Sequence, residues 1–134
     1  MKTKDVNFLE ENLTRINKPL FKTLPEKESS RVTEAIHYSV MNGGKRIRPQ
    51  IILLLCEMLE VEITSDNVDL IAAAGELIHC YSLIHDDLPA MDDDDYRRGQ
   101  LSCHKQFDEA TAILAGDAIQ PVSYTHLRAH ETIP

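Results

Sequence analysis

The chain has 134 residues, with 14 Lys and Arg against 22 Asp and Glu, and its formal net charge is −8. This length allows one domain, and the acidic balance excludes a general electrostatic attraction to nucleic acid or to anionic membranes. An anionic ligand must therefore be held locally, by a metal ion or by a small group of basic residues. The hydrophobic fraction of 43% is enough for a packed core.

Neither membrane insertion nor secretion is expected. No run reaches the roughly 18 to 20 apolar residues that cross a bilayer, and the N-terminus begins with a charged helical pattern. The three cysteines, Cys56, Cys80 and Cys103, are odd in number and lack the CxxC spacing of zinc and redox sites. They predict small apolar filling residues in a reducing compartment, so we expect a cytoplasmic protein.

Apolar residues recur at helical spacing along most of the chain. They predict helices, in chain order, over residues 6–18, 26–41, 49–59, 68–87 and 108–120. Pro19 and Pro25 are expected to separate the first two, and Gly43–Gly44 to end the second. The helix over 49–59 is apolar on nearly all sides, which predicts burial of most of its surface. Residues 89–104 are expected to be irregular, and the predicted fold class is all-α.

The C-terminal segment differs in kind from the rest. Twelve consecutive residues, 121–132, resemble one reading frame of a transposase adapter used in preparing sequencing libraries. We therefore expect a truncated domain over residues 1–120 and an artefact tail over residues 121–134. On this interpretation the natural chain was cut at Gln120, inside a helix. The alternative is a genuine short C-terminal segment.

The segment 86–95, with the sequence DDLPAMDDDD, carries six carboxylates within ten residues. Such groups repel one another unless cations neutralise them, and hard oxygen ligands suit Mg²⁺. A calcium-binding EF-hand loop that started at Asp92 would need Gly where Arg97 stands. A solvated loop is the alternative, but the adjoining apolar helix favours a functional site.

Helix geometry limits how these carboxylates can act together. His79, Ser82 and Asp86 lie on one stripe of an ideal helix, at i, i+3 and i+7. Asp86 and Asp92 do not, because six residues rotate the helix by about 240° net. They can share a metal ion only if the helix breaks between them, and Pro89 offers that break.

Two basic clusters accompany the acidic segment. The motif GGKRIRP places Lys45, Arg46 and Arg48 at a helix N-terminus, where free backbone N–H groups help to bind a polyanion. Arg97 and Arg98 follow the acidic segment, and arginine forks match phosphate oxygens. The alternatives are a basic connector for the first cluster and local pairing with residues 92–95 for the second. The glycine-rich loops GxGxxG and GxxxxGK[ST] are absent, which leaves nucleotide binding by those routes without support.

These motifs, taken in order, resemble the trans-prenyltransferase (polyprenyl synthetase) family. The resemblance rests on GGKRIRP at 43–49, HCYSLIHDDLPAMD at 79–92, RRG at 97–99 and LAGDA at 114–118. It covers residues 1–120, less than half of a usual member, and implies the N-terminal part of an isoprenoid-synthase-type helical bundle. It also implies condensation of isopentenyl diphosphate with dimethylallyl or geranyl diphosphate to farnesyl diphosphate. Full-length members usually form homodimers.

The resemblance implies a role for each matching residue. Asp86 and Asp92 would ligate Mg²⁺ that bridges to the allylic diphosphate, and Asp87 would support them. Arg97 would contact the same diphosphate and belongs to the catalytic set. The isopentenyl diphosphate would be held by Lys45, Arg48, His79 and Arg98. No role beyond packing or local hydrogen bonding is assigned to His85 and His104.

Product length is expected to depend on Tyr81 and Ser82. They stand five and four residues before Asp86, about 6 to 7.5 Å along a helix. A bulky side chain there would limit growth of the product. In the family, an aromatic residue at this position, together with a two-residue expansion of the acidic motif, points to a C15 chain. The alternative is that Tyr81 belongs to the core.

The departure from the family pattern is the absence of the second aspartate-rich motif, DDxxD. We therefore expect the 134-residue chain to be inactive by itself. Two rival functions stay open: a geranylgeranyl or other short-chain prenyl diphosphate synthase, and a non-catalytic helical module that binds divalent cations.

Overall fold

The computed structural model describes residues 3–60 and 65–128. Its helices are α1 (Thr3–Thr23), α2 (Arg31–Met41), α3 (Ile47–Met58), α4 (Ser65–Asp86), α5 (Cys103–Gln106) and α6 (Glu109–Arg128). A 3-10 turn, Lys27–Ser29, precedes α2. Two short strands, β1 (Tyr96–Arg97) and β2 (Gln100–Leu101), pair antiparallel, with Tyr96 opposite Leu101. The predicted all-α class is confirmed, although the segment 89–104 contains this hairpin and α5.

The central helix of the bundle is α4. Helix α6 packs along it, and α1, α2 and α3 also contact it. Ala72, Ala73 and Ala74 on α4 and Ala112 and Ala115 on α6 are at most 1% exposed. Such small side chains let two helix backbones approach closely. The main core cluster consists of Leu20, Ala35, Ile36, Val40, Ala73, Leu77, Cys80, Ile84, Cys103, Ala112, Ala115 and Ile119.

The cysteines behave as the sequence predicts. Cys80 and Cys103 are buried, Cys56 is half-buried, and all three are free thiols. Burial raises the pKa of Cys80 to about 11, so its thiol stays protonated at neutral pH. None of the described helices is long and apolar enough to cross a membrane.

Helix α2 begins later than predicted, at Arg31 and not at Glu26. Ser30 is extended, and Thr33 N donates to Ser30 Oγ at 3.1 Å. Ser30 N in turn donates to Thr33 Oγ1 at 2.9 Å. This reciprocal cap satisfies two backbone donors that would otherwise lack partners. The helix ends at Met41, and Gly43 and Gly44 follow with φ of 79° and 108°.

Two prolines lie inside helices that the sequence analysis ended before them. Helix α1 continues past Pro19, and Leu20 beyond it is fully buried. Helix α6 continues past Gln120 and Pro121 to Arg128, with Ser123 fully buried. A proline removes one helical hydrogen bond, and burial of the following residues offsets that loss. The artefact origin of residues 121–134 stays a prediction.

The expected burial of α3 on most sides is wrong. Pro49 and Leu53 are its buried residues, and Ile51, Leu55 and Met58 are exposed. Helices α4 and α1 pack against it, so the opposite side of the helix remains in contact with solvent.

The different burial of two leucines predicts that their truncation will have different effects on the free energy of unfolding. Leu77 in α4 is 0% exposed and Leu59 after α3 is 70% exposed. We expect Leu77→Ala to lower the free energy of unfolding by about 2–5 kcal/mol, since it leaves a core cavity. The matched control Leu59→Ala should change it by less than about 0.5 kcal/mol. Urea denaturation followed by circular dichroism measures both, and equal losses would contradict the assignment of α4 as the core helix.

Candidate functional site

The acidic segment 86–95 folds back on the end of α4, and we call it the acidic loop. Helix α4 ends at Asp86. Beyond it, Asp92 N donates to Asp86 O at 2.8 Å, and Asp94 N donates to Asp87 O at 3.1 Å. The break that the sequence analysis required between Asp86 and Asp92 is therefore present. It begins before Pro89, in keeping with the restriction that proline places on the preceding residue.

Asp87 points into the protein and not toward solvent. It is 1% exposed, and both its carboxylate oxygens accept hydrogen bonds of 2.7 Å from Arg97, through Nε and Nη2. The bond to Asp87 is the main reason that the pKa of Arg97 is raised. Local pairing of Arg97 with residues 92–95 was the sequence alternative, and the structure pairs it instead with Asp87, five residues before that range. Asp87 thus fixes the arginine beside the loop.

The acidic loop keeps most of its negative charge. Among the described residues its salt bridges are Asp87 with Arg97 and Asp95 with Lys105, the latter at 3.4 Å. Asp86 and Asp92 are joined through their backbones and have no basic side chain within salt-bridge distance there. Carboxylate oxygens are the type of ligand that Mg²⁺ prefers, so the chemistry of the predicted pair suits a divalent cation.

A different group of side chains also has ligand atoms close together. One ligand atom each from Asp93, Asp95 and His104 lie within 4.8 Å of one another. His104, expected only to pack or to form local hydrogen bonds, is 6% exposed; its Nδ1 lies 3.3 Å from Ser102 Oγ, and its Nε2 has no hydrogen-bond partner. Asp95 is already paired with Lys105. No sequence motif marks this group, because the hairpin is what brings residues of the loop and of α5 together.

A basic cavity of about 290 Å³ lies between α3, α4 and the hairpin. Its lining includes all four residues predicted to hold isopentenyl diphosphate, Lys45, Arg48, His79 and Arg98, together with Arg97. The fold therefore brings the GGKRIRP motif, the middle of α4 and the RRG motif to one place. Such a concentration of guanidinium and ammonium groups is suited to a polyanion.

Arg98 lies across the glycine backbone at one edge of this cavity. Its Nη1 donates to Gly43 O at 2.9 Å. A Cβ built on Gly44 would stand 2.7 Å from Arg98 Cζ, and Gly44 has a φ of 108°. Gly44 is therefore required both for the left-handed backbone and for the approach of the arginine.

His79 is held neutral by its surroundings. Arg48 Nη1 lies 3.2 Å from His79 Nε2, and because arginine can only donate, this nitrogen accepts. Burial, followed by the positive charge of Arg48, lowers the pKa of His79. The cavity's charge at neutral pH therefore comes from its lysine and arginines.

Of the three cations of the GGKRIRP motif, Arg46 is the one that is buried. It is 3% exposed, and its Nη1 donates to Glu76 Oε1 at 2.9 Å. Its Nε donates to Asn17 Oδ1 at 3.0 Å, and its Nη2 donates to Val40 O. Arg46 and Glu76 both belong to the inner wall of the cavity, but the charge of Arg46 is paired there with Glu76. The expectation that all three cations of the motif are available to a ligand is therefore wrong for Arg46.

Tyr81 and Ser82 lie on α4 between His79 and the acidic loop. Tyr81 is half-buried, packs against the main core cluster and makes an edge-on contact with His85. Ser82 Oγ donates to His79 O at 2.7 Å. His85 Nε2 lies 3.1 Å from Ile113 O, so this histidine joins α4 to α6.

Comparisons with known proteins agree with the motif arrangement. The sequence model described as polyprenyl synthetase matches residues 29–134. The farnesyl diphosphate synthase of Haemophilus influenzae is 50% identical over 119 residues, covering 87% of this chain and 39% of that protein. The large subunit 1 of the heterodimeric chloroplastic geranylgeranyl pyrophosphate synthase of Arabidopsis thaliana is 45% identical over 112 residues, covering 84% and 30%.

Solved structures show the same likeness. A geranyltransferase from Legionella pneumophila superposes with a TM-score of 0.84 at 46% identity, over 92% of this chain and 44% of that one. The prediction of the N-terminal part of an isoprenoid-synthase-type bundle is thereby confirmed. The chain spans about two fifths of the length of the Haemophilus influenzae protein.

The contact between Arg98 and Gly44 gives a test of the basic cavity. We expect Gly44→Ala to displace the guanidinium and weaken binding of inorganic pyrophosphate about tenfold or more, as loss of a charged hydrogen bond does. Gly43→Ala is the control, because Gly43 also has a positive φ but no atom within 4 Å of its built Cβ. Isothermal titration calorimetry measures the affinities.

A double variant sharpens this test. If Gly44→Ala acts through Arg98, adding it to Arg98→Ala should cause no further loss of affinity. Pyrophosphate binding by Gly44→Ala equal to that of the unaltered chain would contradict the role of this contact.

Proposed function

The chain belongs to the polyprenyl synthetase family, and we propose that the complete protein is a prenyltransferase that condenses isopentenyl diphosphate with an allylic diphosphate. The observation that supports this most is the basic cavity, because two separate motifs, GGKRIRP and RRG, supply cations to it beside a loop of carboxylates. The reaction needs both features: one diphosphate is retained during the reaction, and the other departs.

The basic cavity is the proposed site of isopentenyl diphosphate. Lys45, Arg48 and Arg98 supply the positive charge, and arginine forks can bind phosphate oxygens through two parallel hydrogen bonds. His79 is neutral before binding, with Nε2 accepting from Arg48. An arriving diphosphate would draw the Arg48 guanidinium toward itself and favour the protonated imidazole.

The acidic loop is the proposed site of the allylic diphosphate. Asp86 and Asp92 would hold Mg²⁺, which supplies a Lewis acid for the leaving diphosphate. Arg97 lines the basic cavity while Asp87 binds it in place, so its charge stands between the two proposed diphosphate sites. Preorganised charge of this kind stabilises a developing anion without reorganisation.

In the proposed reaction the C–O bond of the allylic ester breaks and diphosphate leaves with the bonding electrons. The double bond of isopentenyl diphosphate attacks the resulting allylic cation and forms the new C–C bond. A proton is then lost from the condensed cation, which gives a product longer by five carbons. Because the chain spans about two fifths of a relative's length, we propose that it has no turnover without the remainder.

The proposed product is farnesyl diphosphate. Relatives named farnesyl diphosphate synthase support it, as does the half-buried Tyr81 near the acidic loop. Geranylgeranyl diphosphate is the second candidate, favoured by the relative from Arabidopsis thaliana. We further propose a homodimer for the full-length protein, and the three free thiols support a cytoplasmic location.

Magnesium dependence of pyrophosphate binding tests the paired sites in this chain. We expect Mg²⁺ to strengthen binding, because a cation on the acidic loop attracts the anion, and Asp86→Asn to abolish that gain. Asp66→Asn is the control, since Asp66 is an exposed aspartate in the first turn of the same helix. Calorimetry with and without Mg²⁺ gives the result. Magnesium binding that is independent of pyrophosphate would favour the cation-binding module instead.

Chain length is tested in the complete enzyme. We expect Tyr81→Ala to give products longer than C15, because a smaller side chain one to two turns before Asp86 leaves room for the growing chain. Tyr96→Ala on the hairpin is the control, since that tyrosine is 69% exposed. Chromatography of the dephosphorylated products identifies their lengths, and an unchanged C15 product would disprove the assignment.

A further inference from the structure

The buried ion pair Arg46–Glu76 has no assigned role in the proposed reaction. Both side chains are 2% exposed. Through its three donor groups Arg46 reaches Asn17 of α1, Val40 of α2 and Glu76 of α4. A pair of this kind is a poor source of stability, because well-packed apolar residues of similar volume often serve as well. Its place in the fold therefore calls for another explanation.

The backbone around Arg46 is strained. Arg46 has a φ of 51°, and Gly43 and Gly44 before it also have positive φ. Helix α3 begins at the next residue, Ile47, and its first bond runs from Gln50 N to Arg46 O at 3.1 Å. A left-handed backbone at a residue other than glycine persists only where its surroundings determine it. The inward side chain of Arg46 ties this segment to three helices.

The other two cations of GGKRIRP differ from Arg46 in their exposure. Lys45 and Arg48 are exposed and line the basic cavity. Glu76 lies three residues before His79, which places both on the same face of α4. The buried pair therefore forms the floor beneath the side chains that would hold the diphosphate.

We propose that Arg46 and Glu76 are positioning residues that hold Lys45 and Arg48 at the basic cavity, without themselves binding the diphosphate. This inference rests on the proposed function. It separates the cations of GGKRIRP into one that anchors the backbone and two that bind the ligand. Glu76 keeps the anchor neutral, so the charge offered to a ligand comes from the rim of the cavity alone.

Glu76→Gln distinguishes this role from direct binding, with inorganic pyrophosphate as the probe in calorimetry of the 134-residue chain. A positioning role predicts affinity at least tenfold weaker, because the anchor loosens. If Arg46 were itself a ligand, removal of its counter-charge would raise the affinity, and that result would overturn the inference. Asp69→Asn is the matched control, since Asp69 joins α4 to Arg15 of α1 in a more exposed ion pair, and it should leave the affinity unchanged.

The double variant Arg46→Met/Glu76→Leu addresses loss of folding. It replaces the ion pair by apolar side chains, and we expect an unfolding midpoint close to that of the unaltered chain with pyrophosphate affinity still at least tenfold weaker. Affinity restored to the unaltered value would show a structural role alone and overturn the inference. If the unaltered chain fails to bind pyrophosphate, the proposed function is overturned together with this inference. If the unaltered chain binds and only the variants behave differently from expectation, the inference alone is overturned.

Discussion

The bidentate bond between Asp87 and Arg97 is the interaction on which the candidate site depends. It joins the end of the central helix to the hairpin, with both bonds at 2.7 Å and the carboxylate almost fully buried. Through it the acidic loop and the basic cavity become neighbours. Arg98, the residue after Arg97, makes the neighbouring contact of the hairpin with Gly43 O.

Two arginines of the site are fixed in place by carboxylates. Arg46 is held by Glu76 of α4, and Arg97 is held by Asp87 directly after the end of α4. Arg97 is still 34% exposed and lines the cavity together with Lys45, Arg48 and Arg98. Opposite charge is thus neutralised where it is buried and left uncompensated where an anion could arrive, which is the arrangement that electrostatic preorganisation requires.

Several features follow from local sequence alone. The break between Asp86 and Asp92 follows from helix rotation and from Pro89, and the alignment of His79 with Asp86 follows from the helical period. The extent of α1 does not, because Leu20 is buried by other helices after Pro19 has removed one hydrogen bond. The exposure of α3 likewise depends on which neighbouring helices cover it. The sequence of an apolar helix does not specify those neighbours.

The sequence by itself determined the residue types, the charge and the helical character of this protein, because these depend on composition and on short periodic spacing. It identified the acidic loop and two basic clusters as candidate binding groups. Only the tertiary structure decided that Arg46 turns inward while Lys45 and Arg48 face the cavity. The reason is the left-handed backbone at Arg46, which reverses the direction of one side chain and is stabilised by contacts from three distant segments.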